Sequence, residues 1–144
     1  MNKLLLIIAL VLGSSQLNAQ EFNQEIEARQ NLFSEIEEKS DWVEDELEED
    51  SPNWQDIENA SETLIKNTQQ LETLFVTGSH ENSRAKASIW ENHQEFKNAL
   101  NEMLIGFESL HHASKLQKLT AAESGLEQAQ DTCNGCHRRY RSLW

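Results

Sequence analysis

Residues 119–140 read LTAAESGLEQAQDTCNGCHRRY, and the fold can be argued outward from this stretch. Apolar or small residues recur in it at steps of three and four, which is the spacing of one face of an α-helix. This helix is predicted to start between Ser114 and Thr120, because residues 114–117 and 120–123 both fit the capping-box pattern. Its face comprises Leu119, Ala122, Leu126, Ala129, Cys133, Cys136 and Tyr140.

Three upstream segments show the same helical spacing. The first, residues 21–47, has an inward face of Phe22, Ile26, Arg29, Phe33, Ile36, Ser40, Val43 and Leu47. The second is predicted to begin at Ser51-Pro52, with Ser51 as N-cap and Pro52 at the first helical position, and to end at Gly78. Its inner face is Trp54, Ile57, Leu64, Leu71 and Phe75. The third, residues 84–111, has a face of Ile89, His93, Phe96, Leu100, Met103, Phe107 and Leu110. Four amphipathic helices with short connections predict an all-α fold, an antiparallel up-down-up-down four-helix bundle.

The charge balance narrows the possible partners. The chain has 25 acidic and 12 basic residues, with a formal net charge of −13. Such an acidic protein is not expected to bind nucleic acid or a membrane surface, and its charge favours basic partners.

The first nineteen residues predict a secretory signal peptide. A lysine near the start precedes the apolar run Leu4–Leu12, and Leu17-Asn18-Ala19 resembles a signal peptidase site. The alternative, an uncleaved membrane anchor, would need a longer run of about 20 apolar residues. We therefore expect residues 1–19 to be removed, residues 20–144 to form one domain, and that domain to be soluble outside the cytoplasm.

The motif Cys133-Asn134-Gly135-Cys136-His137 carries the chemistry. On a helix these two thiols and the imidazole share one face, so both thiols can bond to one haem and the histidine can bind its iron. A thioredoxin-like redox pair would need a preceding strand, and a zinc site would need two more ligands. A disulfide would close a very small loop and stabilise little. The motif therefore predicts one covalently bound c-type haem.

Further patches make a resemblance to a known family specific. They are Ala28-Arg29-Gln30 with Leu32-Phe33, then Ile89-Trp90 with Phe96-Lys97, and the C-terminal residues 133–141. Together they resemble cytochrome c′, the class II cytochromes c of bacterial periplasms. The resemblance implies a four-helix bundle, often a homodimer, with a high-spin, five-coordinate haem that binds NO and CO and binds dioxygen poorly.

The resemblance also implies roles for individual residues. An apolar residue of the first helix covers the open face of the haem, and here that position is Phe33, with Leu32 beside it. Arg29 matches an arginine near a haem propionate, and Arg141 matches one near the proximal pocket. Each has a simpler alternative from the residues alone: Arg29 could extend to solvent from the bundle edge, and Arg141 could be a solvated base that complements the helix dipole.

Other residues leave the function less defined. His93 falls on the predicted inward face but is expected to be a hydrogen-bonded core residue, and His80, His111 and His112 are expected to be solvated. Trp90 and Phe96 could contact the haem or belong to the core.

Because the predicted first helix lacks methionine and histidine, an open site is favoured over a six-coordinate, low-spin electron carrier. An enzyme such as a peroxidase would need a distal base, so we expect no enzyme but a gas-binding cytochrome that exchanges electrons with a partner protein. Leu32, Trp42 and Ile65 lie off the main faces and mark the expected dimer contact.

Overall fold

A computed structural model describes residues 22–143, which fold into four long helices and one short one. In chain order these are α1 (Asn23–Leu47), α2 (Trp54–Leu71), α3 (Ser88–Glu91), α4 (His93–Lys115) and α5 (Leu119–Tyr140), with a 3₁₀ turn at Glu72–Leu74. Within this range no strand forms, and a single antiparallel bridge joins Ala85 to Arg141. The predicted all-α four-helix bundle is confirmed. The predicted signal peptide, residues 1–19, lies outside the described residues.

The tightest packing in the bundle is between α4 and α5. A Cβ atom placed on Gly106 would come within 2.5 Å of the Ala129 nitrogen, and one on Gly125 within 2.5 Å of the Leu110 nitrogen. The two backbones can therefore approach this closely only because neither glycine has a side chain. Within 22–143, no helix is long and apolar enough to cross a membrane.

Both ends of α2 differ from the sequence prediction. The helix begins at Trp54 rather than at Ser51-Pro52, because the side chain of Asn53 accepts a hydrogen bond from the Asp56 nitrogen and acts as the N-cap. It ends at Leu71, well before Gly78, which has a φ of +93° in the following loop.

The start of α5 lies within the predicted window of Ser114 to Thr120, but neither predicted capping box forms. The helix starts at Leu119 without a side-chain cap. Ser114 is instead a buried residue of α4, and its hydroxyl donates to the Leu110 carbonyl at 2.7 Å. Local capping preference therefore gives way to the packing of α4 on α5.

The third predicted helix, residues 84–111, is wrong as a continuous element. Residues 84–87 pair with the C-terminal residues, α3 follows as one turn, and Asn92, with φ −118° and ψ 45°, separates it from α4. This break makes His93 the first residue of α4, where it is exposed although it keeps the helical spacing to the buried Phe96 and Leu100. The prediction that His93 faces inward is therefore also wrong.

Candidate haem site

A cavity of about 730 Å³ lies between α1 and the α4–α5 pair. This volume falls within the range of about 300–1,000 Å³ that is typical of cofactor sites. Much of its wall is apolar and comes from α3 and α4, through Ile89, Phe96, Leu100, Met103 and Phe107. The cavity is thus large enough and apolar enough to enclose a flat macrocycle.

The motif residues of α5 face this cavity together. Cys133 and Cys136 are half-buried in its wall, and His137 lies beside them at its open side. Burial raises the pKa of both thiols, and the charge of Glu37 adds to this at Cys133. The pKa of His137 is lowered, first by partial burial and then by the positive charge of Arg141. The imidazole is therefore favoured in its neutral form, the form that binds metal.

The α1 side of the cavity carries Phe33. Its ring lines the cavity, is 36% exposed, and meets the ring of Phe75 edge-on with 6.3 Å between centroids. Leu32 does not line the cavity and packs against the core instead. Of these two neighbours, Phe33 is the one placed to cover a cofactor.

Phe75 was assigned by sequence to the inner face of the second helix, but it begins the loop after the 3₁₀ turn. Its ring also contacts Phe96 at 4.6 Å and Trp90 at 6.5 Å, between centroids. Phe96 lines the cavity, whereas Trp90 does not, and the Trp90 indole donates to the Phe75 carbonyl at 3.2 Å. Of the two aromatic residues left open by the sequence, Phe96 faces the cavity and Trp90 supports the loop.

Arg29 is buried, at 3% exposure, and lines the cavity from α1. Its guanidinium donates to the hydroxyl and the carbonyl of Ser79, both at 2.7 Å, and to the hydroxyl of Ser83 at 2.8 Å. Its charge also lies 4.8 Å from the centroid of the Phe75 ring. Burial lowers the pKa of Arg29. Arg29 therefore does not extend to solvent, and it holds the loop that follows α2.

The serine partners of Arg29 were not identified from the sequence, where GSHENS at 78–83 reads as an ordinary polar loop. The available signal was the pairing of a buried cation on one helix with a serine-rich loop elsewhere, since a buried charge needs acceptors.

Two exposed arginines also line the cavity, Arg141 at the end of α5 and Arg84 in the segment before α3. Arg84 was not identified from the sequence. Its guanidinium donates to the carbonyls of Ser142 and Leu143, which follow the end of α5 that carries His137, and its positive charge contributes, after burial and Arg141, to the lowered pKa of His137. His93 does not line the cavity, whereas Met103, 5% exposed, does.

The remaining histidines only partly match the prediction that they are solvated. His112 is exposed. His111 is half-buried inside α4, with its Nδ1 3.0 Å from the Ser61 hydroxyl, and His80 is half-buried against the ring of Trp90. For His80 and His111 the prediction is therefore wrong, because each packs against a neighbouring element.

The residues around the cavity fit a covalent haem. Two thiols and an imidazole project from one helical face, apolar side chains form the walls, and three arginines could meet the two haem carboxylates: Arg29, Arg84 and Arg141. A four-helix bundle with this donor set in a cofactor-sized cavity defines a c-type haem protein.

The sequence matches the profile of the cytochrome C′ family over residues 24–141. The chain belongs to this family, and like its other members it binds one covalent haem c. The resemblance argued from the sequence is thereby confirmed.

Solved structures of the family share the fold at low sequence identity. Cytochrome c′ from Shewanella frigidimarina is 20% identical, with a TM-score of 0.77 over 85% of this chain and 98% of that one. A nitric oxide complex of a cytochrome c′ mutant from Alcaligenes xylosoxidans is 18% identical, with a TM-score of 0.76 over 84% and 95%.

A third structure, a cytochrome c′ with ligand-controlled dimer dissociation, is also 18% identical, with a TM-score of 0.76 over 83% and 95%. A comparison with curated proteins gives no match. At these identities the structural likeness establishes the fold.

Proposed function

We propose that this protein is a periplasmic gas-binding cytochrome. Cys133 and Cys136 hold its haem by thioether bonds, and His137 is the protein ligand of the iron. The other face of the haem is left to small neutral gases, NO and CO. Once bound, the haem supplies reversible gas binding and one-electron redox chemistry.

The observation that carries this proposal is the position of Phe33. An apolar ring from α1 lines the cavity across from α5, where a ligand side chain would be needed to close the sixth coordination site. The residues of α1, Asn23–Leu47, include no methionine and no histidine. The first helix therefore offers an apolar cover and neither of the usual methionine and histidine ligands.

An apolar cover also determines which gas is favoured. Bound dioxygen becomes polarised and gains from a distal hydrogen-bond donor, whereas CO and NO gain less. Phe33 has no donor, so the site favours CO and NO. Catalytic turnover would need an acid or base beside the bound ligand. Gas binding and electron exchange need neither, so we propose no catalytic activity.

The alternative is a six-coordinate, low-spin electron carrier, and one residue favours it. Met103 lines the cavity from α4, and its thioether is a possible iron ligand. His93 is exposed and outside the cavity wall, which leaves Met103 as the residue to test.

An optical spectrum of the purified ferrous protein, recorded with and without CO, separates these functions. A high-spin spectrum that changes when CO is added supports the open site. A low-spin spectrum without added ligand rejects it, and restoration of a high-spin spectrum by Met103→Leu would identify the ligand.

The place of action and the assembly belong to the same proposal. Removal of residues 1–19 after export would place the protein in the periplasm, where a redox partner would reach it. We propose a homodimer through α1 and α2. Trp42 on α1 is 39% exposed, and Leu32 and Ile65 are half-buried beside the core. Light scattering that finds only monomer at high concentration would reject the dimer without affecting the haem site.

A further inference from the structure

The C-terminal end of α5, which carries the haem motif, is completed by another part of the chain. The last carbonyls of a helix have no partner within the helix. Here the Tyr140 carbonyl accepts from the Lys86 nitrogen at 2.9 Å, the Arg138 carbonyl from the Lys86 ammonium at 3.0 Å, and the Arg139 carbonyl from the Ser88 hydroxyl at 3.0 Å. We call residues 84–88 the capping segment.

Arg84 opens the capping segment and is bonded to the C-terminal residues from both its backbone and its side chain. Its carbonyl accepts from the Ser142 nitrogen at 2.8 Å. Its guanidinium donates to the Ser142 carbonyl at 3.4 Å and to the Leu143 carbonyl at 3.2 Å. A long side chain that would otherwise be mobile at the surface is therefore held in place.

Arg84 also lines the haem cavity, as do Cys136 and His137. Arg29, on α1, differs in being buried, and its partners, the oxygens of Ser79 and Ser83, are neutral as well. Arg84 hydrogen-bonds to neutral carbonyls, so its positive charge is not cancelled by a carboxylate in these contacts. It can therefore act on a group inside the cavity.

We propose that Arg84 is a positioning residue of the haem site, which fixes the C-terminal residues beside the end of α5 and holds a positive charge toward the haem on the His137 side. Because reduction adds an electron to the haem, a nearby fixed positive charge favours the reduced state and raises the reduction potential. This inference rests on the proposed attachment of haem at Cys133, Cys136 and His137.

The test compares the reduction potentials of haem-loaded variants. Arg84→Gln removes the charge and should lower the reduction potential. Arg84→Lys keeps the charge, so its reduction potential should stay close to that of the wild type. Lys66→Gln removes a charge from the exposed face of α2, where Lys66 pairs with Glu62, and should leave the potential close to that of the wild type. Equal shifts in Arg84→Gln and Lys66→Gln, or no shift in Arg84→Gln, would overturn the proposal.

A second variant separates charge from helix capping. Ser88→Ala removes one cap of α5 and no charge, so it should leave the potential unchanged. If it lowers the potential as much as Arg84→Gln does, the potential follows order at the end of α5, and the role given to the Arg84 charge is wrong.

Hydrogen exchange tests the positioning role independently of the haem potential. The Ser142 amide should exchange faster in Arg84→Gln than in the wild type, and unchanged exchange would overturn this role. A wild-type protein that retains no haem after denaturation would reject the proposed attachment itself. A haem-bearing wild type whose potential and exchange match those of Arg84→Gln would reject only this inference.

Discussion

The two halves of α5 belong to one helix but have opposite surroundings. In the first half, Gly125 and Ala129 lie so close to α4 that an added methyl group at Gly106 or Gly125 would collide with backbone atoms. In the second half, Cys133, Cys136 and His137 line a cavity of about 730 Å³. We call the close contact of Gly106 and Leu110 with Gly125 and Ala129 the seam. Along one helix, small residues thus form the seam, and the residues that follow line a space for a cofactor.

The position of α1 follows the same division. Near the C-terminal end of α1, the Gln130 amide of α5 donates to the Glu44 carboxylate at 2.9 Å. Farther along, Arg29 and Phe33 face α5 across the cavity. The packed half is held by direct contact between helices, whereas the open half gains its stabilisation from the bound haem, as any native-state ligand stabilises the folded state.

Replacing both motif cysteines should have the largest effect of these changes, the complete loss of covalent haem from the open half of α5. Cys133→Ala combined with Cys136→Ala removes both thioether bonds, so denaturation should release all haem. Intact mass after acid denaturation measures this. The wild type should have the mass of residues 20–144 plus one haem, and the double variant the mass of the chain alone. A wild-type mass with free thiols or a disulfide would disprove covalent attachment.

Replacing Arg29 tests what supports the open half on its α1 side. Arg29→Met removes the charged donor to the Ser79 hydroxyl, the Ser79 carbonyl and the Ser83 hydroxyl, and a charged hydrogen bond contributes about 1.5–3 kcal/mol. We expect a loss of this size in urea unfolding of the haem-loaded protein. Ser83→Ala removes a single partner and should cost less.

The same variant separates two roles of Arg29. If its reduction potential also changes, Arg29 acts on a haem propionate as the family resemblance implies. If only stability falls, Arg29 acts through the loop alone. Wild-type stability in Arg29→Met would contradict both.

Glycine substitutions should show that the seam depends on size. Gly106→Ala brings a methyl group against Ala129 and should destabilise the protein by about 1–3 kcal/mol. Gly135→Ala is the matched control, because Gly135 is also helical but has nothing within 4 Å of its added Cβ. It should be neutral or stabilising by up to about 1 kcal/mol, through helix propensity. Equal losses in free energy of unfolding at the two positions would mean that the close contact between α4 and α5 is not the cause of the loss.

The sequence predicted the packed half better than the open half. Periodicity found four helices and most of their buried faces, because burial of an apolar stripe repeats every turn. It could not show the break at Asn92, since a single helical pattern runs through Ile89 and Phe96 on either side. Because of that break, His93 is the first residue of α4 and is exposed at the helix end, not enclosed in the middle of a longer helix.

The site was predicted unevenly for a similar reason. Cys133, Cys136 and His137 are close in sequence, so one helical face brings them together whatever the rest of the chain does. Ser83 and Arg84 line the cavity from a loop, and their positions depend on contacts with Arg29 and Ser142, which no local pattern encodes. Their roles could be recognised only from the tertiary structure.

Phe33→Ala should have the smallest effect on stability and the most specific effect on gas binding. Because the ring is already 36% exposed, the cost should lie well below the ~3–5 kcal/mol typical of a core phenylalanine. A ligand entering the open face must displace the ring, so its removal should make CO bind faster and more tightly. Haem attachment should be unaffected, since Cys133, Cys136 and His137 lie on another helix.

Leu32→Ala is the control for this last prediction, because Leu32 neighbours Phe33 on α1 but packs against the core and does not line the cavity. Stopped-flow CO binding to the ferrous protein measures both variants. Faster binding in Phe33→Ala, with little change in Leu32→Ala, would identify Phe33 as the cover. The reverse pattern would make Leu32 the cover and require α1 to rotate when haem binds. The α4–α5 contact does not include α1, where Phe33 and Leu32 lie. Adding either variant should therefore leave the difference in free energy of unfolding between Gly106→Ala and Gly135→Ala unchanged.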